Sequence, residues 1–470
     1  MEPTTRAGSE QHPLRIAIIG SGPAGFYSVE RLFEEHDLAV RVDMFDRLPI
    51  PFGLVRSGVA PDHPRIKSVV NYYHKLARDP RFRFFGDIEF GTEVSLDDLR
   101  QRFHQIIFAC GAQADRALGI PGEKLDGVHS ARQFVAWYNG APDYSHLHFD
   151  LSGSSAVVIG IGDVAADVAR ILCRTPDELA KTDIADHALQ ALAASRISEV
   201  SMIGRRGPAQ ARFSLKTIQE LSALAGAAVT TDQEEMKLDA ASQAEADSDP
   251  QSAKAVQALR ALTGRGEPAK HKTLHLRFLL SPVEILGDGQ GRVEAVRCLR
   301  NELHRAEDGT LQPRATDRVE TLKARLVFRA VGYRGVSLPG LPFVAERGVI
   351  PNQRGRITDP ARGHPLPGLY VSGWIKRGPH GLIGASKADA RETVECLLQD
   401  ARRGRTLQPA QPGLDSVDAL LNERGLAHVT YSDWLTIDRL EQERGRESGR
   451  PRVKFTKTGE IYRAIREGKK

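Results

Sequence analysis

At 470 residues, 41% hydrophobic and 27% charged with a formal net charge of +5, the chain exceeds what one core holds and is expected to form two domains, or three. No apolar run approaches the roughly 20 residues of a membrane helix. Met1 to Pro13, polar and carrying Glu2 and Glu10, resembles neither a secretion signal nor an Arg-rich transit peptide, so a cytoplasmic protein without a membrane span is expected. Cys110, Cys173, Cys298 and Cys396 stand far apart with no Cys-x-x-Cys, which argues against a redox dithiol, zinc site or iron-sulfur cluster in this chain; no metal is assigned. The mild positive balance suits an acidic partner, and no nucleic-acid motif is present.

Ile16 to Ile19 reads as a strand buried on both faces, and the Gly20-x-Gly22-x-x-Gly25 that comes next turns the chain into a helix. Gly20 permits the turn, Gly22 lets backbone approach a pyrophosphate, and Gly25 lets helix and strand pack closely. Pro23 suits the first helical turn, and the helix N-terminus offers free amides to an anion. A second apolar run, Val40 to Phe45, ends in Asp46, where dinucleotide folds place an acid on ribose hydroxyls; an acid suits FAD or NAD and repels a 2'-phosphate. Leu48 to Pro64, with two glycines and four prolines, has no period and reads as a functional loop. Arg65 to Ala77 is expected to be helical, Phe82 to Phe90 a short strand pair, and Leu96 to Phe103 a short helix.

Ile106 to Ala112 is a buried strand ending at a glycine, and Leu326 to Tyr333 repeats its form. Pairing of the two would make the first domain discontinuous, with segments 1–109 and 332–470 enclosing a second domain, 110–331. Inside that domain Ala156 to Ile159 leads to Gly160-Ile161-Gly162-Asp163-Val164-Ala165, a second cradle with Ala165 at the third glycine position, and a helix to Cys173. Its next strand, Glu199 to Ile203, comes after a helix-prone stretch and ends in Gly204-Arg205-Arg206-Gly207-Pro208. Two guanidiniums stand where the first unit has Asp46, and they match a 2'-phosphate in charge and geometry. One cradle therefore reads as an FAD site and the other as an NADPH site. Asp232 to Lys272 reads as surface helices or an insertion. Leu274 to Arg300 reads as a hairpin region turning at Asp288-Gly289. Gly368 to Gly384 is a strand and glycine-dense loop before a helix from Ser386 to about Ala401, whose N-terminus is placed to face a flavin. The basic tail from Arg444 is expected to be solvated.

Five strings resemble one family, the adrenodoxin-reductase-like ferredoxin:NADP reductases, with the bacterial members most alike. They are Gly20 to Gly25, Pro51 to Pro64, Asp167 to Leu172, Gly204 to Pro208, and Gly373-Trp374-Ile375-Lys376-Arg377-Gly378-Pro379, and the likeness runs end to end through Ser432-Asp433-Trp434. The resemblance implies an α/β fold of two Rossmann-like dinucleotide-binding domains, similar to glutathione reductase without its disulfide. It implies non-covalent FAD, hydride from NADPH, and single-electron delivery to a ferredoxin-type iron-sulfur protein. Gly20, Gly22, Ala24, Gly25, Asp46, Gly53, Leu54, Phe90, Trp374, Gly381, Leu382 and Ile383 fall on FAD positions. Gly160, Ile161, Gly162, Asp163, Val164, Arg205, Arg206, Thr217 and Gly381 fall on NADP positions. His63 and Glu220 match a His and an acid near the flavin-nicotinamide region, with proton or orientation roles. Asp163, Thr217 and His380 depart from the Asn, Glu and Thr common in relatives. A diaphorase acting on quinone or another small acceptor, and a flavin-binding redox sensor, stay open as alternatives.

Overall fold

The computed structural model describes residues 7–211, 213–263 and 270–468. Strand β1 (Leu14–Ile19), buried along its length, feeds the helix Pro23–Phe33, and β2 (Val40–Asp46), β3 (Phe82–Gly86) and β4 (Gln105–Phe108) lie parallel to it. After a two-residue strand β5 (Ala114–Asp115) come β6 (Val128–Ser130), β7 (Ser155–Ile159), β8 (Glu199–Ile203), β9 (Ala227–Thr231) and β10 (Lys272–Arg277). Next, β11 (Leu280–Gly287), β12 (Val293–Arg305) and β13 (Leu311–Lys323) make a separate antiparallel sheet. The chain closes through β14 (Leu326–Arg329), β15 (Tyr333–Arg334), β16 (Asn352–Gln353), β17 (Arg356–Thr358) and β18 (Pro365–Val371).

One sheet has the order β16-β17-β18-β4-β1-β2-β3 and the other β6-β14-β7-β8-β10-β9. Each contains the same parallel core, β3-β2-β1-β4 in the first and β10-β8-β7-β14 in the second. This is the order that places the turn after the central strand at a topological switch point. The fold is thus two Rossmann-like units, the second set into the first between β4 and β16. The chain segments that cross between them meet as an antiparallel ribbon of β5 and β15. The look-alike strings 106–112 and 326–333 do not pair with each other: β4 flanks β1, and β14 flanks β7. Their likeness reflects equivalent places in two similar sheets.

Other expectations need correction. Only β3 forms within 82–90; Asp87, at φ 64°, ends it. The 65–77 segment splits into helices Pro64–Lys67 and Val70–Ala77. The Asp288-Gly289 turn does join β11 to β12, but β10 belongs to the parallel sheet, and the chain breaks between them at Leu279, φ 56°. A long charged hairpin, β12 with β13, was not legible. Asp249 caps a helix Pro250–Arg260 that comes after the helix Ala240–Ser248; residues 264–269 of that region, and the chain ends 1–6 and 469–470, lie outside the described residues. The basic tail is solvated only in part: Arg444, Arg446, Lys457, Arg463 and Arg466 are exposed, but other residues of it pack inward. Arg450 and Lys454 are buried, and the helix Thr458–Gly468 sets Ile461, Ala464 and Ile465 into the core beneath β1. Acids on the second unit explain the two buried cations: Lys454 meets the buried Asp183, and Arg450 reaches out to the exposed Asp186.

Ion pairs tie the two units together. From the loop after β2, Asp62 accepts from Arg170 Nε and Nη2 at 2.6 and 2.9 Å and from Arg174 Nε at 2.7 Å. The Arg170 and Asp62 side chains are only 0% and 5% exposed. Lys67 and Lys454 converge on Asp183 at 2.7 and 3.0 Å, and Arg450 donates to Asp186 at 2.5 Å. Burial alone raises the Asp62 carboxyl, but the hydrogen bonds and charge of Arg170, then Arg174, outweigh it and hold the group well below the usual range. Asp183 is held down in the same way by Lys454 and Lys67. A depressed carboxyl contributes stability above its unfolded pKa of about 3.9 and loses it as pH falls toward the folded value. Removing Asp62 would leave the buried Arg170 guanidinium with Asp167, at 2.7 Å, in place of two close carboxylates, so part of a buried charge goes uncompensated. Asp62→Asn is therefore expected to lower stability by about 3 kcal/mol, measured as a lower urea midpoint at pH 7, and to weaken the acid-side dependence between about pH 5 and 2. An unchanged midpoint would show that the clasp contributes nothing.

Candidate functional site

The first cradle is closed by contacts that leave no room for a side chain. Gly20 has φ 109°, and a Cβ there would meet the Ala109 carbonyl oxygen at 2.5 Å; a Cβ on Gly25 would lie 2.3 Å from the Gly20 oxygen. Gly22, by contrast, has nothing within 4 Å of a Cβ, so its face is open at the N-terminus of the helix Pro23–Phe33. Asp46 binds the turn itself: its Oδ2 accepts from the Ser21 amide at 2.8 Å and hydroxyl at 2.5 Å, and its Oδ1 from the Leu48 amide at 2.9 Å. The proline-rich loop lies on this turn, with Phe52 N donating to Ser21 O at 3.1 Å and Gly53, φ 47°, close against Gly22. Leu54 remains half-exposed, while Phe90 packs edge-on against Phe108 at the end of β4. Ala24 presses its methyl against Gly373, where a Cβ would come within 2.7 Å.

The second cradle repeats the construction. Gly160 has φ 140° and faces the Ala330 oxygen as Gly20 faces Ala109, and Gly162 is open like Gly22. Ile161 covers Gly204, where a Cβ would fall 2.4 Å from the Ile161 Cδ1. This contact brings the end of β8, and with it Arg205 and Arg206, against the glycine turn. Arg205 is exposed, and no carboxylate pairs with it among the described residues. Asp163 and Val164 begin the helix Asp163–Cys173. The Asp163 Oδ1 accepts from the Thr217 hydroxyl at 3.1 Å, so two of the three departures from the family pattern are partners. Thr217 belongs to the helix Leu215–Ser222, capped by Ser214.

Between the units, His63 Nε2 lies 3.1 Å from Glu220 Oε2, with Lys216 at 3.3 Å and Arg170 at 3.9 Å from the Glu220 carboxylate. Trp374 stacks on Tyr333 of the crossing ribbon, centroids 5.5 Å apart; burial holds the Tyr333 phenol above its usual range. Gly381, φ 81°, rests on Ala385 and the Arg377 guanidinium, Leu382 is 73% exposed, and Ile383 packs partly on the core. Asp389 fixes this segment from the helix Ala385–Arg402, accepting from Gly373 N at 2.5 Å and from Lys376 at 3.0 Å. His380 donates its amide to Gly378 O, and its carbonyl accepts from Arg377. The predicted residues thus fall into two turns and a boundary. Gly381 joins the first turn's side, and its place in the second nucleotide's site rests on the resemblance alone. Sequence reasoning missed Ser21, Asp389 and the Asp62–Arg170 clasp. Asp62 and Arg170 stand within strings already singled out, but nothing local pairs them.

The family model described as pyridine nucleotide-disulphide oxidoreductase matches residues 14–222, a span holding both glycine turns; all four cysteines here are free thiols. The NADPH-ferredoxin reductase FprA of Mycobacterium tuberculosis is 45% identical over 96% of this chain and 99% of its own. The mitochondrial NADPH:adrenodoxin oxidoreductase of Bos taurus is 40% identical over 97% of this chain and 92% of its own. The solved structure of Mycobacterium tuberculosis FprA in complex with NADPH superimposes with a TM-score of 0.90 at 44% identity, covering 98% of this chain and all of that one. Matched along nearly its whole length by these proteins, the chain belongs to the family of NADPH-ferredoxin and NADPH:adrenodoxin reductases.

Proposed function

We propose that the chain is an FAD-dependent ferredoxin:NADP+ oxidoreductase, with FAD on segments 1–109 and 332–470 and NADPH on 110–331. The observation that carries this reading is the contrast between otherwise matching turns. An acid, Asp46, ends β2 in the first, while Arg205 and Arg206 come just after β8 in the second. The residues fit both groups. Gly22 and Gly162 leave open faces at helix N-termini, as a pyrophosphate requires, and the exposed Leu382 lies in the segment assigned to the flavin.

FAD and NADPH supply the hydride and single-electron chemistry when bound. The chain's part is to hold and orient. Gly20 to Gly25, Asp46, Gly53, Leu54, Phe90, Trp374 and Gly381 to Ile383 hold the first nucleotide; Gly160 to Val164, Thr217 and the Arg205-Arg206 pair hold the second. His63 and Glu220, hydrogen-bonded across the boundary, are proposed as the polar pair beside the reacting rings. The partner is a ferredoxin-type iron-sulfur protein, and the net charge of +5 suits an acidic one. Among the described residues no helix is long and apolar enough to cross a membrane. A cytoplasmic place is inferred from the likeness to the bacterial reductases; cell fractionation distinguishes it from the mitochondrial placement of the adrenodoxin oxidoreductases.

Steady-state assays test the reading. NADPH is expected to support reduction of an acidic ferredoxin at a rate that falls as salt rises from low to physiological strength; no rate toward any ferredoxin, with small quinones reduced, would favour the diaphorase. Replacing Arg205 and Arg206 by neutral residues should raise KM for NADPH roughly thirtyfold while leaving that for NADH within about twofold; equal changes would overturn the 2'-phosphate assignment. Because Thr217 engages the Asp163 carboxylate, Asp163→Asn should shift KM for NADPH by less than about threefold. A larger gain in affinity would show that the charge bears on the phosphates.

A further inference from the structure

We infer that the tip of the β12–β13 hairpin is a specificity-determining support for the Arg205-Arg206 pair, with Gln312 and Asn301 as positioning residues. The inference rests on the reading of that pair as the 2'-phosphate site. Asn301 sits at the bulge in β12, where the register to β13 shifts after Leu299. It is 3% exposed. Its amide nitrogen Nδ2 donates to the Arg205 carbonyl at 2.7 Å and to Ser281 Oγ at 2.9 Å, and its backbone N–H donates to Leu279 O at 2.7 Å. Leu279 in turn donates its backbone N–H to the Arg206 carbonyl at 3.1 Å. The Arg205 carbonyl is thereby pinned to the hairpin directly, and the Arg206 carbonyl through Leu279.

Gln312 holds the side chain. It stands opposite His304 on β13, and its Oε1 accepts from Arg206 Nη2 at 3.1 Å. The direction of the amide is set by its other end. Gln312 Nε2 lies 2.9 Å from Thr310 Oγ1, and that hydroxyl donates its only proton to Asp308 Oδ1 at 2.6 Å. Thr310 can therefore only accept from Gln312, which fixes the amide nitrogen toward the turn and the amide oxygen toward the guanidinium. A neutral acceptor orients Arg206 without cancelling its charge, whereas a carboxylate in the same place would compete with a bound phosphate for it. Ion pairs secure the hairpin behind the tip. Glu320 of β13 meets Arg277 at 2.6 Å and Arg300 at 2.8 Å, and the fully buried Glu235 meets the same two arginines at 2.8 and 3.1 Å. The hairpin's place in the molecule is thus a fixed platform beside the end of β8.

Calorimetric titration of the full-length holoprotein with adenosine 2',5'-bisphosphate and, separately, adenosine 5'-monophosphate tests this. The Gln312→Glu variant is expected to bind the bisphosphate roughly tenfold more weakly and the monophosphate within about twofold of the original, and Gln312→Ala to fall between. Gln312→Asn, too short to reach Arg206, should behave as the alanine variant. Loss of affinity for both ligands alike, or for neither, would overturn the proposal. The Arg205 and Arg206 neutral double variant serves as reference. If it keeps its preference for the bisphosphate, the 2'-phosphate reading itself fails. Should it lose that preference while Gln312→Glu retains it, only the positioning role fails. Asn301→Ala gives a second line: weaker bisphosphate binding with an unchanged urea midpoint supports the support role, and a lowered midpoint with equal loss of both ligands contradicts it.

Discussion

The contact on which the rest depends is the bidentate pair of Asp62 with Arg170. Each sheet carries one nucleotide turn, and among the described residues the two sheets share no strand, the crossing segments meeting only in the short β5–β15 ribbon. Hydride transfer nevertheless requires reacting atoms about 3–3.5 Å apart, and a misplacement of 1 Å is costly. Interfaces between domains in one chain move by default unless specific contacts hold them. Here the holding contacts are buried ion pairs that reach from the loop after β2, and from the C-terminal segment, into the second unit. Asp62 and His63 are adjacent, and they engage Arg170 and Glu220 respectively. The residue that sets the domain register therefore neighbours the residue proposed to face the rings.

On the proposed reading, the same turn geometry serves two nucleotides because its glycine requirements are set by backbone contact, whereas its selectivity is set by the charged residues at the end of the next strand. Gly20 against Ala109 and Gly160 against Ala330 are one steric solution used twice. The difference is charge. Asp46 is drawn inward by Ser21 and Leu48, while Arg205 stays exposed and Ile161 presses the strand end that bears it toward the turn. The antiparallel hairpin then explains why a third sheet is present beside the second unit: it supplies the hydrogen bonds that hold two neighbouring like charges in place.

Elements whose cause is local were legible in the chain. The strands β1, β2, β7 and β8 arise from apolar runs, the turns from glycine spacing, and the Asp288-Gly289 hairpin from its turn residues. Long-range pairings were not. Asp62 and Arg170 are 108 residues apart and Lys454 and Asn139 are 315 apart, and no spacing rule joins them. The tail reads as wholly solvated when its lysines and arginines are taken without their acids; with Asp183 opposite Lys454 and Asp186 opposite Arg450, those two cations are buried while Arg444, Arg446, Lys457, Arg463 and Arg466 stay exposed. β13 escaped notice because its outward positions are charged, which is how an exposed edge strand avoids pairing with other chains. Asp163 and Thr217 were legible as two separate oddities, and only the fold shows that one binds the other.

Anaerobic stopped-flow mixing with NADPH, following the oxidised-flavin absorbance in the original protein and in Asp62→Asn at a temperature where both are folded, tests the central claim most directly. If the clasp sets the register of the two cofactors, the variant will bleach at least about tenfold more slowly at saturating NADPH, while the concentration giving half the maximal rate stays within about twofold. Equal bleaching rates in the two proteins would contradict the account and leave the clasp as a contributor to stability alone.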